Sequence, residues 1–115
     1  MQTPELEIID LVIGDGKEAV RGALIITHYT GWRSADGVKF DSSLDKGRPF
    51  QCVIGTGRVI KGWDIGLMGM RVGGKRRLKV PAHLAYGERQ IGERIPPNSA
   101  LEFEIELLEV LTRDD

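Results

Sequence analysis

The feature that most constrains the fold is a run of alternating apolar and acidic residues near the end of the chain. From Leu101 to Leu107, leucine, phenylalanine and isoleucine alternate with three glutamates. Successive side chains of a β-strand point to opposite faces of the sheet, so this pattern predicts a strand with one buried face and one charged face. Such a strand belongs in an antiparallel sheet, because strands of parallel sheets are usually buried on both faces.

Shorter segments supply the partners for this strand. Enrichment in β-branched and aromatic residues predicts strands at 6–13, 23–30, 38–40, 50–54 and 76–80, and Asp36-Gly37 predicts a hairpin turn. Only one segment has helical spacing: Val59, Trp63 and Leu67 lie four residues apart and would share one face of a short helix. Many strands with one amphipathic helix predict an α+β fold in which an antiparallel sheet packs on that helix.

Length, charge and cysteine content restrict the class of protein. A chain of 115 residues favours a single domain over 1–115. The net charge of −1 provides no overall field for nucleic acid or an anionic membrane. The start of the chain does not resemble a signal peptide, no apolar run is long enough to span a membrane, and the single cysteine, Cys52, is compatible with a reducing compartment. We therefore expect a cytoplasmic monomer.

Several apparent motifs have ordinary explanations. The segment Gly69–Lys75 fits the start of a phosphate-binding loop, but Arg76 stands where the Mg²⁺-binding Ser or Thr belongs, and a predicted strand follows. We interpret it as a turn. His28 and His83 lack metal-ligand spacing, and Cys52 in a predicted strand is interpreted as a buried, inert thiol. The sequence predicts no metal or cofactor site.

Aromatic and aliphatic residues beside irregular segments are open to two interpretations. Patterning alone favours ordinary core, and the alternative is the lining of a binding cleft. The segment 82–99 lacks periodicity, and a loop of that length in a compact domain is usually functional. The residues concerned are Tyr29, Phe40, Phe50, Val59, Ile60, Trp63, Tyr86, Ile95 and Phe103.

Five short strings decide between these interpretations. HYTG at 28–31, FDSS at 40–43, VIKGW at 59–63, AYG at 85–87 and IPPN at 95–98 occur in an order and spacing that resembles the FKBP family of peptidyl-prolyl cis–trans isomerases, over about residues 6 to 110. The resemblance implies an antiparallel half-barrel wrapped around one short helix. It also implies an isomerase without cofactor that acts on proline-containing peptides and folding proteins in a hydrophobic cleft, and that binds macrolides such as rapamycin and tacrolimus.

The resemblance also implies residue roles. Asp41, Tyr86 and Phe103 match catalytic positions, and the backbone N–H of Ile60 matches a ligand hydrogen-bond donor, while Trp63 would form the cleft floor. Phe40, Ile91 and Ile95 would form the wall that faces the residue before proline. The full set of substrate-binding positions is Tyr29, Phe40, Phe50, Val59, Ile60, Trp63, Ile91 and Ile95.

Two positions depart from the family pattern. Lys46 stands where the best-known eukaryotic members have arginine, and a lysine cannot offer a planar fork to Asp41. Arg94 occupies a rim position where an aliphatic residue is common. Two other functions are compatible with a cleft of this kind: a binding module with little turnover, and a holdase. The presence of Asp41, Tyr86 and Trp63 favours the enzyme, and the absence of an inserted apolar domain disfavours the holdase.

Overall fold

The computed structural model describes residues 5–113 and confirms the α+β fold. Six strands form one sheet in the order β1-β5-β6-β2-β3, with β4 also paired to β2. Every pairing is antiparallel. The elements are β1 (Glu7–Val12), β2 (Leu24–Arg33), β3 (Lys39–Ser42), α1 (Ser43–Lys46), β4 (Phe50–Val53), α2 (Lys61–Gly66), β5 (Lys75–Val80), a 3-10 helix (Ala82–Leu84) and β6 (Leu101–Leu111).

The alternating run predicted from the sequence forms β6 at the centre of the sheet. Leu101, Phe103, Ile105 and Leu107 are buried, and the glutamates between them are half-buried on the opposite face. β6 pairs with β5 on one side and with the long strand β2 on the other. The apolar face of these three strands therefore carries most of the core.

The helix α2 lies against β5 through a surface of glycines. A Cβ atom built on Gly62 would lie 2.5 Å from Cγ1 of Val80, and one on Gly66 would lie 2.9 Å from Cδ1 of Leu78. Only glycine allows this close approach. The helix is shorter than its spacing suggests: Val59 lies outside it, before the N-cap residue Ile60.

Arg76 on β5 joins three elements of the fold. Its Nε donates to Oδ1 of Asp10 on β1 at 2.7 Å. Its Nη1 donates to the carbonyl oxygens of Gly66 and Met68 at 2.9 and 3.0 Å, where α2 ends. One side chain thus satisfies helix carbonyls that lack an intrahelical partner and holds the edge strand in place.

Two short helices have no counterpart in the sequence prediction. α1 and the 3-10 helix have four and three residues, which is too short for an apolar period to repeat. After Gly69–Lys75, β5 follows rather than a helix, which confirms the turn interpretation.

The side chains of His28 and Cys52 are both accounted for. Nδ1 of His28 is hydrogen-bonded to the Ser43 hydroxyl at 2.9 Å. Burial, followed by the charge of Asp64, raises the pKa of Cys52 to about 11, so the buried thiol stays protonated. Between residues 5 and 113, no helix has the length and apolar character needed to cross a membrane.

Candidate active site

A cavity with a volume of about 590 Å³ opens between the sheet, α2 and the loop after β5. Its volume lies within the range of roughly 300–1,000 Å³ that is usual for small-molecule sites. Nine of the eleven predicted site residues line it: Tyr29, Phe40, Asp41, Phe50, Val59, Ile60, Trp63, Tyr86 and Phe103. The segments that carry them are far apart in the chain, so only the folded sheet brings them together.

Trp63 lies at the centre of the cluster of aromatic rings that line the cavity. Its ring centroid lies 5.3 Å from that of Tyr29, 5.8 Å from Phe50 and 5.5 Å from Phe103. Phe103 in turn lies 5.8 Å from Phe40. All of these pairs are edge-to-face, the arrangement favoured by the ring quadrupole. Because Trp63 is only 4% exposed and is enclosed by the other rings, it forms the floor of the cavity.

A glycine in β2 makes room for this wall. A Cβ atom on Gly31 would lie 2.6 Å from Cζ of Phe40 and 3.0 Å from Cε1 of Phe103. Any larger residue would push these two rings apart. The glycine of the HYTG string is therefore required by the close approach of two cavity side chains.

Asp41 is the acid of the site, and its partners hold it firmly. The hydroxyl of Tyr29 donates to Oδ2 at 2.6 Å, the backbone N–H of Ser42 donates to Oδ1 at 2.9 Å, and Nζ of Lys46 lies 3.0 Å from Oδ1. Burial pushes the pKa of Asp41 upward, but the hydrogen bonds from Tyr29 and Lys46 outweigh burial and hold that pKa below its usual range. The carboxylate is thus ionised at neutral pH. Lys46 makes a single contact in place of an arginine fork.

The phenol of Tyr29 shares this environment. Burial raises its pKa most, and the hydrogen bond to the Asp41 carboxylate adds to the rise. Tyr29 therefore remains a neutral donor to Asp41 and orients one carboxylate oxygen. This pair links β2 to β3 at the cavity wall.

Several hydrogen-bond donors that line the cavity have no acceptor within residues 5–113. Among them are the backbone N–H of Ile60 and the hydroxyl of Tyr86. Burial, followed by the charge of Asp41, raises the pKa of Tyr86, so its hydroxyl keeps its proton. Both groups can donate to carbonyl oxygens of a bound peptide.

The wall segment that carries Ile60 is fixed by α2. Oδ1 and Oδ2 of Asp64 accept the backbone N–H groups of Gly55 and Gly57, each at 2.8 Å. Both oxygens of one helical carboxylate therefore hold the loop that leads to Val59. The sequence analysis did not identify Asp64, because its partners are backbone amides.

The tip of the loop after β5 is arranged differently from the expectation. Ile91 and Ile95 exchange backbone hydrogen bonds of 2.9 and 3.2 Å and do not line the cavity. Nη1 of Arg94 donates to the carbonyl of Phe40 at 2.9 Å, while Arg33 donates to the carbonyl of Arg94. Arg94 thus ties the loop to β3. A contact of Ile91 or Ile95 with substrate stays a prediction.

Comparison with known proteins agrees with this geometry. The family model described as FKBP-type peptidyl-prolyl cis-trans isomerase matches residues 16–108. The chain belongs to this family. It therefore has the α+β fold of the FKBP isomerases and is a peptidyl-prolyl cis–trans isomerase.

Individual FKBP relatives are similar over most of their length. An FK506-binding protein of Neisseria meningitidis serogroup A is 54% identical over 105 residues, which cover 91% of this chain and 95% of the relative. FK506-binding protein 1 of Saccharomyces cerevisiae is 53% identical over 98 residues, covering 84% and 85%. The crystal structure of AtFKBP13 superposes with a TM-score of 0.84 at 44% identity, covering 92% of this chain and 93% of that one.

The FKBP cavity of this chain is also lined by residues that the sequence analysis did not assign to it. They are Gly57, Arg58, Lys61, His83, Ala85 and Arg89. Arg58 and Lys61 are next to the VI pair of the VIKGW string, and Ala85 belongs to the AYG string. Adjacency to these strings is the signal that would have identified them.

Proposed function

We propose that the isomerase reaction takes place in the aromatic cavity, with the proline ring of the substrate lying over Trp63. The observation that supports this proposal is the edge-to-face enclosure of Trp63 by Tyr29, Phe50 and Phe103. This enclosure gives the cavity an aromatic floor and aromatic walls, and the volume of the cavity suits a small ring. Ile60 and Tyr86 provide unused donors beside it for the flanking carbonyl groups.

The reaction needs what this cavity offers. Rotation about the X–Pro amide must cross a barrier of about 18–20 kcal/mol that comes from partial double-bond character. No bond breaks, so neither a nucleophile nor a redox group takes part. The twisted amide is less dipolar than the planar one, and an apolar wall therefore favours the twisted state. Each lowering of the activation free energy by about 1.4 kcal/mol increases the rate tenfold.

The ionised Asp41 adds a fixed negative charge at the edge of the cavity. In the twisted state the carbonyl carbon loses electron density from nitrogen, and a nearby carboxylate stabilises that carbon electrostatically. Donors from Ile60 and Tyr86 hold the neighbouring carbonyl groups, so the rotation is confined to one peptide unit. Phe103 shapes the wall against which the amide turns.

The same cavity is proposed to bind macrolides of the tacrolimus and rapamycin type. Two of the relatives are named FK506-binding proteins, and they share about half of their residues with this chain. The proposal extends to assistance of protein folding, since slow X–Pro isomerisation takes tens to hundreds of seconds without a catalyst. Cytoplasmic location and a monomeric state stay predictions.

Catalysis and macrolide binding are tested together by NMR exchange spectroscopy on a Leu-Pro peptide. We expect micromolar protein to accelerate cis–trans exchange and tacrolimus to abolish the acceleration, because both would occupy one cavity. Acceleration that tacrolimus leaves unchanged would place the two activities in different sites. Tacrolimus binding without any acceleration would favour the binding module.

Fluorescence tests whether Trp63 is the floor. We expect rapamycin to change the fluorescence emission of Trp63, which lines the cavity, and not that of Trp32. The ring of Trp32 packs instead against Arg77, whose Cζ lies 5.2 Å from the ring centroid. Trp32→Phe should keep the change, and Trp63→Phe should lose it. The Trp63 variant should still fold, because Phe retains most of the ring and removes an indole N–H that has no acceptor among the described residues. A change that survives in Trp63→Phe contradicts the floor assignment.

A further inference from the structure

The mouth of the cavity is positively charged, although the whole chain is slightly acidic. Arg58, Lys61 and Arg89 line it together with His83. Within residues 5–113, Asp41 is the single acidic residue of the lining, and Lys46 already pairs with it at 3.0 Å. The chain carries 16 basic and 17 acidic residues, so this surplus belongs to the mouth and not to the protein as a whole.

These three cationic side chains have no hydrogen-bond or ion-pair partner among the described residues, as is also true of those of Arg21 and Arg48 outside the cavity. Within residues 5–113, no carboxylate or carbonyl accepts a hydrogen bond from the side chains of Arg58, Lys61 or Arg89. By contrast, Arg33 pairs with Asp36 and Arg76 pairs with Asp10 at 2.7 Å in each case. An unpaired cation at the edge of a concave apolar site raises the local concentration of anionic ligands.

The cations also stand beside the groups proposed to hold the peptide. Arg58 and Lys61 flank the pair Val59 and Ile60 in the chain. The backbone N–H of Ile60 is the unused donor described above. Arg89 follows Tyr86 by one turn, with its backbone N–H bonded to the Tyr86 carbonyl at 3.2 Å. A peptide bound through Ile60 and Tyr86 therefore has basic side chains on two sides.

We propose that the preferred substrates are acidic peptides, in which a glutamate or aspartate lies close to the X–Pro bond. The inference rests on the proposed function, since it concerns the same cavity. The basic residues that select the carboxylate are Arg58, Lys61 and Arg89. Arg94 takes no part, because its guanidinium is engaged by the carbonyl of Phe40.

A peptide series tests the inference. The Leu-Pro pair is kept constant, and Glu, Gln or Lys is placed two residues before proline in one set and directly after it in another. At low salt we expect kcat/KM for the Glu peptide to exceed that for the Lys peptide by about 3- to 10-fold in at least one set, as one or two exposed ion pairs allow. The ratio should approach one near 0.5 M salt, where charges are screened within about 4 Å.

Charge reversal identifies the residues responsible. Arg58→Glu combined with Lys61→Glu, and separately Arg89→Glu, should reduce or invert the Glu-to-Lys ratio. Arg113→Glu is the matched control: it makes the same charge change two residues beyond the end of β6, whose last residue, Leu111, lies eight residues or roughly 25 Å along the strand from Phe103, and it should leave the ratio intact. Thermal melts establish that each variant is folded.

The outcomes separate the inference from the proposed function. Equal catalysis of the Glu, Gln and Lys peptides overturns the acidic preference and leaves the cavity as the active site. A preference that persists in all the cavity variants overturns the assignment to these residues. Absence of catalysis on every peptide overturns the proposed function together with the preference.

Discussion

Replacing Gly62 with valine is expected to lower the free energy of unfolding by about 3 kcal/mol, and the melting temperature by about 10 °C. The reason is the close approach of α2 to β5. A Cβ atom at Gly62 would already lie 2.5 Å from Cγ1 of Val80, which is itself only 1% exposed and has nowhere to move. The two further methyl groups of valine would force the helix away from the strand.

A double-mutant cycle tests that explanation. Gly62→Ala should destabilise the protein by a smaller amount, and Val80→Ala should partly rescue it by removing the methyl groups that clash, with a coupling energy of about 0.5–3 kcal/mol. Ile65→Ala is the control on the same helix, because Ile65 is 54% exposed and its loss should change stability little. Additive effects of the Gly62 and Val80 changes would show that close packing is not the cause.

Replacing Asp41 with alanine is expected to lower kcat/KM by about 10- to 100-fold, which is at or below the lower end of what removal of one preorganised electrostatic group costs, because the Asp41 side chain is partly exposed to water. Stability should also fall, by about 1–2 kcal/mol, because the Tyr29 hydroxyl and the Ser42 amide each lose an acceptor. The measurement is turnover and melting on the same preparations.

Asp36→Ala provides the matched control. Asp36 also accepts a backbone N–H and pairs with an arginine, but it lies in the exposed hairpin turn away from the cavity. Asp36→Ala should lower the stability of the protein somewhat and leave its turnover unchanged. If fully folded Asp41→Ala turned over like the unmodified protein, Asp41 would be structural only.

The same carboxylate contributes to the loss of stability in acid. The pKa of Asp41 lies below its ordinary value in the folded chain, so its contribution is complete above the ordinary value of about 4 and is lost as the pH falls through the lower, folded-state pKa. Asp41→Asn should therefore flatten the acid limb of a stability profile.

The parts of the fold that the sequence predicted are those that local pattern determines. The alternation along β6 follows directly from which face of a strand is buried, and the structure has the same face buried from Leu101 to Leu107. The apolar spacing predicted α2 correctly but extended it too far. Val59 lies four residues before Trp63, as it would on a helix, yet it precedes the helix. Four of the five short strings contain seven of the nine predicted cavity residues, since each of these strings is a contiguous piece of wall, while Phe50 and Phe103 lie outside the strings.

What the sequence could not show depends on partners that are distant or lie in the backbone. Arg94 donates to the carbonyl of Phe40, 54 positions away, and no side-chain pattern identifies a carbonyl as a partner. The charge around the mouth was missed for a related reason. Arg58 and Arg89 lie in irregular segments and Lys61 is the first residue of α2, so no period tells which way these side chains point.

The edge-to-face arrangement of the aromatic rings has a spectroscopic consequence. An aromatic ring shields nuclei above its face and deshields those at its edge, so the rings around Trp63 create a steep gradient of chemical shift across a few ångströms. Protons of a proline ring lying on the face of Trp63 would resonate far upfield of those in free peptide. The ring currents of Tyr29, Phe50 and Phe103 would then report, proton by proton, how deeply and in which orientation the ligand sits.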